Sequence, residues 1–183
     1  MRIVGGSLRG RVLQAPLGLD TRPTSEKVRE AIFNILPDVT GLEVLDVFAG
    51  SGALGLEALS RGAEFATFVD KSRNAASVLK TNIQKLGLED QSKVVVGDSL
   101  KLIERPLAQR PYMLVFIDPP YRSDLAVRAA KTLSRLDYLT EDAIVVIEHD
   151  REHAPPDKLE SLLRTDERKY GDTRVSFYRV ATS

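Results

Sequence analysis

The 183-residue chain contains neither cysteine nor tryptophan. Without cysteine it has no disulfide scaffold, no thiolate-ligated zinc or iron–sulfur site and no thiolate nucleophile. Histidine is scarce as well, since only His149 and His153 occur, close together beside a polar segment that contains prolines. These absences predict a protein without a bound metal.

Long apolar runs are also missing. The longest uninterrupted ones, such as 113–117 and 143–147, span about five residues, whereas a bilayer-spanning helix needs roughly 20. The first residues lack the apolar stretch of a signal peptide. We therefore expect a cytoplasmic protein with no membrane partner.

The composition is that of one globular domain, with 43% apolar and 28% charged residues. The 26 basic and 26 acidic residues cancel, so no whole-protein field attracts nucleic acid. Within residues 1–19, however, every charged residue is positive. We expect a single domain in which a basic N-terminal hairpin extension, residues 1–20, precedes an α/β core, residues 21–183.

Strands and helices alternate along the chain after residue 41. Short apolar runs predict strands at 43–47, 66–69, 93–96, 113–117 and 143–148. The segments between and after them predict helices at 52–61, 72–86, 98–105, 125–136 and 156–163. Because the apolar runs do not alternate with polar residues, we expect the strands to be buried on both faces by crossover helices.

The two ends of the chain depart from this alternation. Residues 2–15 predict a β-hairpin, and residues 24–36 predict an amphipathic helix. Residues 164–180, with a turn at Gly171-Asp172, predict a closing antiparallel hairpin. The expected fold is α/β, an open and mostly parallel sheet with a C-terminal antiparallel hairpin, plus an N-terminal β-hairpin and helix.

A glycine-rich loop follows the first predicted strand. Gly50, Gly52 and Gly55 fit G-x-G-x-x-G, and Asp70 ends the next strand 20 residues after Gly50. This pattern is typical of a dinucleotide site, although a tight turn packed against a helix uses glycines too. Asp46, just before the loop, would repel a pyrophosphate and favour a cationic ligand. S-adenosylmethionine, which carries an ammonium, a sulfonium and a ribose for Asp70 but no phosphate, is therefore the predicted cofactor.

Asp98 and Ser99 follow the third predicted strand. Asp98 can accept a hydrogen bond from an adenine amino group, with the Ser99 hydroxyl beside it. The alternative is a helix N-cap, since Asp and Ser are both favoured there. The two roles are compatible.

A second loop, Asp118-Pro119-Pro120-Tyr121, follows the fourth predicted strand. Consecutive prolines restrict the backbone, so that a carboxylate and a rigid carbonyl can accept both hydrogens of a planar amine. The tyrosine ring offers a stacking face for an extruded base. The loop thus predicts in-line methylation of an exocyclic amine, although Asp-Pro also begins many ordinary turns.

These motifs resemble those of a known family, the RsmD family of bacterial 16S rRNA guanine-N2 methyltransferases, which are class I S-adenosylmethionine-dependent enzymes with a Rossmann-like fold. The resemblance covers nearly the whole chain. It is carried by RIVGG at 2–6 with RGR at 9–11, by TRPT at 21–24 with VREAIFN at 28–34, and by the loops at 46–55 and 118–121.

The resemblance implies methylation of the N2 amine of one guanine in small-subunit rRNA, within an assembled or assembling 30S subunit. It implies these cofactor-binding residues: Asp46, Phe48, Gly50, Gly52, Asp70, Asp98 and Ser99, with Arg22 and Thr24 bordering the cofactor. It implies these residues at the target amine: Asp118, Pro119, Pro120 and Tyr121.

The basic hairpin has its own interpretation. Arg2, Arg9 and Arg11 on a hairpin can contact RNA phosphates, or they can be ordinary solvated surface charges.

Three other functions stay open at this stage. A DNA adenine-N6 methyltransferase would use the same second loop, but 183 residues leave little room for a DNA-recognition domain. An NAD-linked oxidoreductase would use the glycine pattern, but Asp46 disfavours the pyrophosphate. A non-enzymatic RNA-binding assembly factor would not need Asp118.

Overall fold

The computed structural model describes residues 1–16, 26–108, 110–120, 123–135 and 139–181. The helices are α1 (Glu26–Ile35), α2 (Ala53–Ser60), α3 (Arg73–Leu86), α4 (Ser99–Leu102) and α5 (Leu125–Ser134). The strands are β1 (Glu43–Val47), β2 (Phe65–Asp70), β3 (Ser92–Val96), β4 (Tyr112–Ile117), β5 (Leu139–His149), β6 (Lys158–Leu159), β7 (Leu162–Tyr170) and β8 (Thr173–Val180).

In the described residues the strands form an eight-stranded sheet with the order β3-β2-β1-β4-β5-β8-β7-β6. Strands β1 to β5 pair in parallel, and β5 to β8 pair antiparallel. The predicted mostly parallel sheet with a closing antiparallel hairpin is confirmed. Because the chain runs outward from β1 to β3 and then returns to β4, the strand order reverses between β1 and β4, where α/β sheets bind ligands.

Both faces of β1, β2 and β4 and of the second half of β5 are buried, whereas the edge strand β3 has no buried residue. On one face, side chains such as Val44 and Phe116 belong to a core cluster with α1, α2 and α3. On the other face, Leu45 and Val115 belong to a cluster with α5. Crossover helices thus cover the central strands as their unbroken apolar runs predicted, and the prediction is wrong for β3, which lies at the edge of the sheet.

The predicted helix at 156–163 is wrong. Its residues form β6, a turn at Glu160 with a φ of 53° and the start of β7, with Leu159 paired to Leu162. The leucine spacing of this segment fits a helix, but both leucines are fully buried against the α5 side of the sheet. Tertiary burial and pairing with β8 through β7 therefore override the local pattern.

Two other predicted elements are shorter than expected. The helix predicted at 98–105 is a single turn, α4. The N-terminal hairpin has one antiparallel bridge, Arg2 with Val12, supported by the hydrogen bonds Ile3 N to Arg11 O and Leu13 N to Met1 O, both 2.9 Å.

The N-terminal segment, residues 1–16, is part of the main core. Ile3 and Leu13 are almost fully buried in the cluster that contains α1, α2 and α3. The turn after Val4 packs on the C-terminal end of α2, where Leu8 N donates to Ser60 Oγ at 3.0 Å. Gly6 has a φ of 75°, and a Cβ on it would lie 1.9 Å from the carbonyl oxygen of Ser60. Only glycine allows this approach.

A fully buried carboxylate joins the N-terminal segment to α1 and α2. Glu57 on α2 accepts hydrogen bonds from Val4 N at 2.9 Å, Arg29 Nε at 3.2 Å and Arg61 Nε at 2.9 Å. Arg29, also fully buried, donates in addition to the carbonyl oxygen of Arg2. The buried charges are therefore compensated across three segments that are distant in sequence.

We expect Glu57→Ala to lower the free energy of unfolding by about 3–5 kcal/mol, because it leaves the Arg29 guanidinium buried without its carboxylate. Urea denaturation measures the loss. Glu64→Ala is the matched control, since Glu64 pairs with Arg110 at 3.0 Å while both side chains are more than half exposed. That variant should lose less than about 1 kcal/mol. Equal losses would contradict this view of the network.

Candidate active site

The carboxyl ends of β1, β2, β3 and β4 lie together at one edge of the sheet. Val47 pairs with Val69 and with Ile117, and Asp70 pairs with Val96. Main-chain hydrogen bonds then join the start of each following loop to the end of a neighbouring strand, from Ala49 N to Val69 O at 3.0 Å, from Asp118 N to Val47 O at 3.5 Å and from Gly97 N to Asp70 O at 3.0 Å. The two motif loops are therefore neighbours across β1 and β4.

The glycine loop, residues 48–52, contains three left-handed residues. Phe48 has a φ of 65°, Gly50 of 56° and Gly52 of 81°. Such a φ is uncommon for phenylalanine, and strained residues of this kind cluster at functional sites. A Cβ on Gly52 would lie 2.2 Å from Leu79 Cδ1, whereas a Cβ on Gly50 would meet no atom of the described residues nearer than 4.0 Å. Gly52 is thus packed against α3, and no described residue fills the outer side of Gly50.

Asp46 lies beneath this loop. Its carboxylate is 2% exposed, and Oδ2 accepts a hydrogen bond from Gly55 N, in the first turn of α2, at 3.0 Å. Burial raises the pKa of Asp46 to about 7, with the Gly55 N–H acting in the opposite direction and the Asp70 charge adding to the rise. A cation bound above the loop would favour the ionised carboxylate.

Asp70, at the end of β2, binds the main chain of the glycine loop. Its Oδ2 accepts from Gly50 N at 2.8 Å, and its Oδ1 accepts from Ser72 N at 2.7 Å. Since each carboxylate oxygen has two lone-pair sites, Asp70 keeps capacity to accept from a ligand hydroxyl.

Asp98 and Ser99 follow β3. Asp98 Oδ1 accepts from Leu100 N at 3.1 Å and from Lys101 N at 3.2 Å, so the N-cap alternative is confirmed. The Ser99 side chain is buried, and its hydroxyl has no hydrogen-bond partner within the described part of the chain. A buried unpaired hydroxyl is costly unless a ligand or water satisfies it.

The second loop leaves the sheet directly after β4. Asp118 is half-buried, Pro119 is buried and Pro120 is exposed. The carbonyl oxygen of Pro120 accepts from Ser123 Oγ at 2.9 Å. Tyr121, like Arg22 and Thr24, lies outside the described residues.

The three arginines of the N-terminal segment differ in their surroundings. Arg2 pairs with Glu26, with 3.4 Å between Nε and Oε2. Arg9 and Arg11 are exposed and have no ion-pair partner among the residues described. The turn that carries Arg9 packs on the end of α2 opposite the glycine loop. The structure therefore does not bring Arg9 next to Asp46 or Gly50.

Sequence reasoning missed Asn82 of α3. Its side chain is buried and makes hydrogen bonds to the main chain at Gln14 and at Ser51 in the glycine loop. The available signal was a polar residue on the apolar face that Ala75, Leu79 and Ile83 form at helical spacing.

Comparison with known proteins identifies the family. The family model described as "Conserved hypothetical protein 95" matches residues 1–179. The chain belongs to the RsmD family. Ribosomal RNA small subunit methyltransferase D of Escherichia coli is 38% identical over 159 residues, 85% of this chain and 78% of that protein. The rRNA methyltransferase candidate YlbH of Bacillus subtilis is 38% identical over 181 residues, 98% of each chain.

The fold of the chain is also similar to that of solved structures of related proteins. The structure of the Escherichia coli methyltransferase candidate yhhF aligns with 100% of this RsmD-family chain and with 99% of the yhhF chain, with a TM-score of 0.87 and 34% identity.

Within the described ranges, no helix has the length and apolar character needed to cross a membrane.

Asp46→Asn provides a test of the buried carboxyl group. An acid whose pKa is higher in the folded than in the unfolded state destabilises the fold increasingly as pH rises between the two values, here 3.8 and about 7. We expect the stability of the wild type relative to Asp46→Asn to fall by about 2–3 kcal/mol between pH 5 and pH 8. Urea denaturation at both pH values measures it, and a pH-independent difference would contradict the raised pKa.

Proposed function

We propose that this protein transfers the methyl group of S-adenosylmethionine to the exocyclic N2 amine of a guanine in 16S rRNA, within an assembled or assembling 30S subunit in the cytoplasm. Membership of the RsmD family and the names of its relatives support rRNA methylation. The hydrogen bond from Asp118 N to Val47 O carries the proposal most directly, because it joins the start of the second loop to the residue that precedes the glycine loop.

The chain's own groups fit a cationic adenosyl ligand. The open side of Gly50 leaves room for the methionine part, and Asp70 has lone pairs for ribose hydroxyls. Ser99 contributes a buried hydroxyl beside Asp98 for the adenine. Asp46 lies beneath the loop, and a bound cation would favour its ionised form. When bound, S-adenosylmethionine supplies an electrophilic methyl group.

The second loop would orient the acceptor. The Asp118 carboxylate and a proline-restricted carbonyl accept one hydrogen bond from each of the two N–H groups of the amine. The nitrogen lone pair then points toward the methyl group. As the bond from nitrogen to the methyl group forms and the methyl–sulfur bond breaks, the nitrogen would become positive; Asp118 would stabilise that charge until the nitrogen loses its extra proton. Pro119 and Pro120 restrict the loop, and Tyr121 stacks on the base.

We propose that Arg9 and Arg11 contact rRNA phosphates, because they are exposed and have no carboxylate partner in the part of the chain described. Glu26 already compensates Arg2, so its contribution should be smaller. Since the Arg9 turn lies at the far end of α2, these contacts would be made by RNA away from the target guanine. We propose that residues 1–183 form a single methyltransferase domain, in which residues 1–20 add an RNA-contacting surface to residues 21–183.

Transfer of a labelled methyl group, followed by nucleoside analysis, tests the function. Separate reactions contain 30S subunits, naked 16S rRNA and duplex DNA. Label in N2-methylguanosine from subunits or rRNA is expected. Label in N6-methyladenine of DNA, or label in none of the substrates, would overturn the proposal.

Asp118→Ala should bind S-adenosylmethionine as the wild type does and lose at least about 100-fold in turnover, because the amine is no longer oriented. Calorimetry measures donor binding, and the labelling reaction measures turnover. Asp124→Ala, six residues further on, is the control, since its carboxylate is exposed and pairs only loosely with Arg128 at 3.8 Å. Undiminished turnover in Asp118→Ala would contradict its assigned role.

Gly50→Ala tests whether the open side of Gly50 receives the donor. Gly41→Ala is a matched control, because Gly41 also has a positive φ, 75°, and a Cβ on it would likewise meet no close atom of the described residues. Both variants should lose about 1–2 kcal/mol of stability from backbone strain. Only Gly50→Ala should lower the affinity for S-adenosylmethionine, by about tenfold or more. Equal affinities would place the donor elsewhere.

A further inference from the structure

Asn82 joins two segments that are far apart in sequence. It lies on the buried face of α3 and is 1% exposed. Its Oδ1 accepts from Gln14 N at 2.8 Å, and its Nδ2 donates to Gln14 O at 3.0 Å and to Ser51 O at 3.1 Å. Gln14 belongs to the N-terminal segment, and Ser51 belongs to the glycine loop.

The chemistry of these contacts requires an amide at position 82. One main-chain N–H needs an acceptor and two carbonyls need donors, and an asparagine side chain supplies both. An aspartate has no donor when ionised, and an alanine satisfies none of the three groups. The Asn82 side chain therefore forms hydrogen bonds to both segments at once. Because one amide group makes all three hydrogen bonds, losing those to Gln14 would change the orientation of the amide toward Ser51.

The hydrogen bond from Asn82 Nδ2 to Ser51 O lies at the centre of the glycine loop. Ser51 lies between Gly50 and Gly52, which both have positive φ values. One turn earlier on α3, Leu79 fills the space beside Gly52. The α3 helix therefore supports two successive loop residues, and Asn82 extends this support to residue 14 of the N-terminal segment.

We propose that Asn82 is a positioning residue that couples the docking of residues 1–16 to binding of the methyl donor at the glycine loop. The inference rests on the proposed use of S-adenosylmethionine. When Gln14 holds the Asn82 amide, Nδ2 holds the Ser51 carbonyl and the loop keeps its binding conformation. By thermodynamic linkage, donor binding must stabilise the docked N-terminal segment by the same factor.

Asn82→Ala tests the coupling directly, and Asn74→Ala is its control, because Asn74 is exposed on the same helix. Calorimetry should show an affinity for S-adenosylmethionine about tenfold weaker in Asn82→Ala and unchanged in Asn74→Ala. In turnover, the KM for the donor should rise by a similar factor, with kcat within about twofold of the wild type.

Hydrogen exchange provides a readout that does not depend on turnover. In the wild type, S-adenosylmethionine should slow exchange of the main-chain amides of Ile3, Leu13 and Gln14, which are hydrogen-bonded in the docked segment. In Asn82→Ala this donor-induced protection should be lost, whereas Asn74→Ala should retain it.

If Asn82→Ala does not fold, Gln14→Pro tests the same coupling by removing a hydrogen bond between Gln14 and Asn82. It deletes the N–H that donates to Asn82 Oδ1, and Gln14→Ala, which keeps the main-chain groups, is its control. Gln14→Pro should weaken donor binding as Asn82→Ala does. If both act through one link, the double variant should bind no more weakly than the weaker single variant.

The outcomes separate this inference from the proposed function. If the wild type does not bind S-adenosylmethionine, the proposed function fails. If the wild type binds it, while Asn82→Ala (or Gln14→Pro, where the first does not fold) keeps wild-type affinity and wild-type donor-induced protection, the coupling is refuted and the proposed function stands.

Discussion

The candidate site depends on how the glycine loop is held. Three side chains from different elements bind its main chain or the helix start that follows it. Asp46 from β1 accepts from Gly55 N, Asp70 from β2 accepts from Gly50 N, and Asn82 from α3 donates to Ser51 O. A loop with three left-handed residues needs such support, because the surroundings must offset the strain of a conformation like that of Phe48.

Two of these supports are carboxylates, and this determines the electrostatics of the crevice. Asp46 is buried without a cation among its hydrogen-bond partners in the described part of the chain, and its charge is disfavoured both by burial and by Asp70. A pyrophosphate at the start of α2 would increase that penalty, whereas a positively charged ligand would relieve it. The G-x-G-x-x-G loop of this chain therefore suits a positively charged ligand better than a pyrophosphate.

The N-terminal segment is built into the domain. Ile3 and Leu13 lie in the main core, Val4 bonds to the buried Glu57, and Gln14 bonds to Asn82. The segment therefore contacts α2 near its far end and α3 near the glycine loop. The coupling proposed for Asn82 would act through these buried polar contacts, which join the N-terminal segment to the elements that hold the glycine loop.

The local sequence pattern was sufficient to predict the alternation of strands and helices and the positions of the glycine loop and the Asp118 loop. Short apolar runs mark buried strands, and closely spaced glycines or prolines directly after such a run mark a loop, so few alternative structures fit. The pattern was insufficient for residues 156–163, whose leucines fit a helix but pair as strands beside β8. It also said nothing of the partners of Glu57 and Asn82, or of the distance between the Arg9 turn and the glycine loop. These features arise from contacts between residues distant along the chain, so only the tertiary structure decided them.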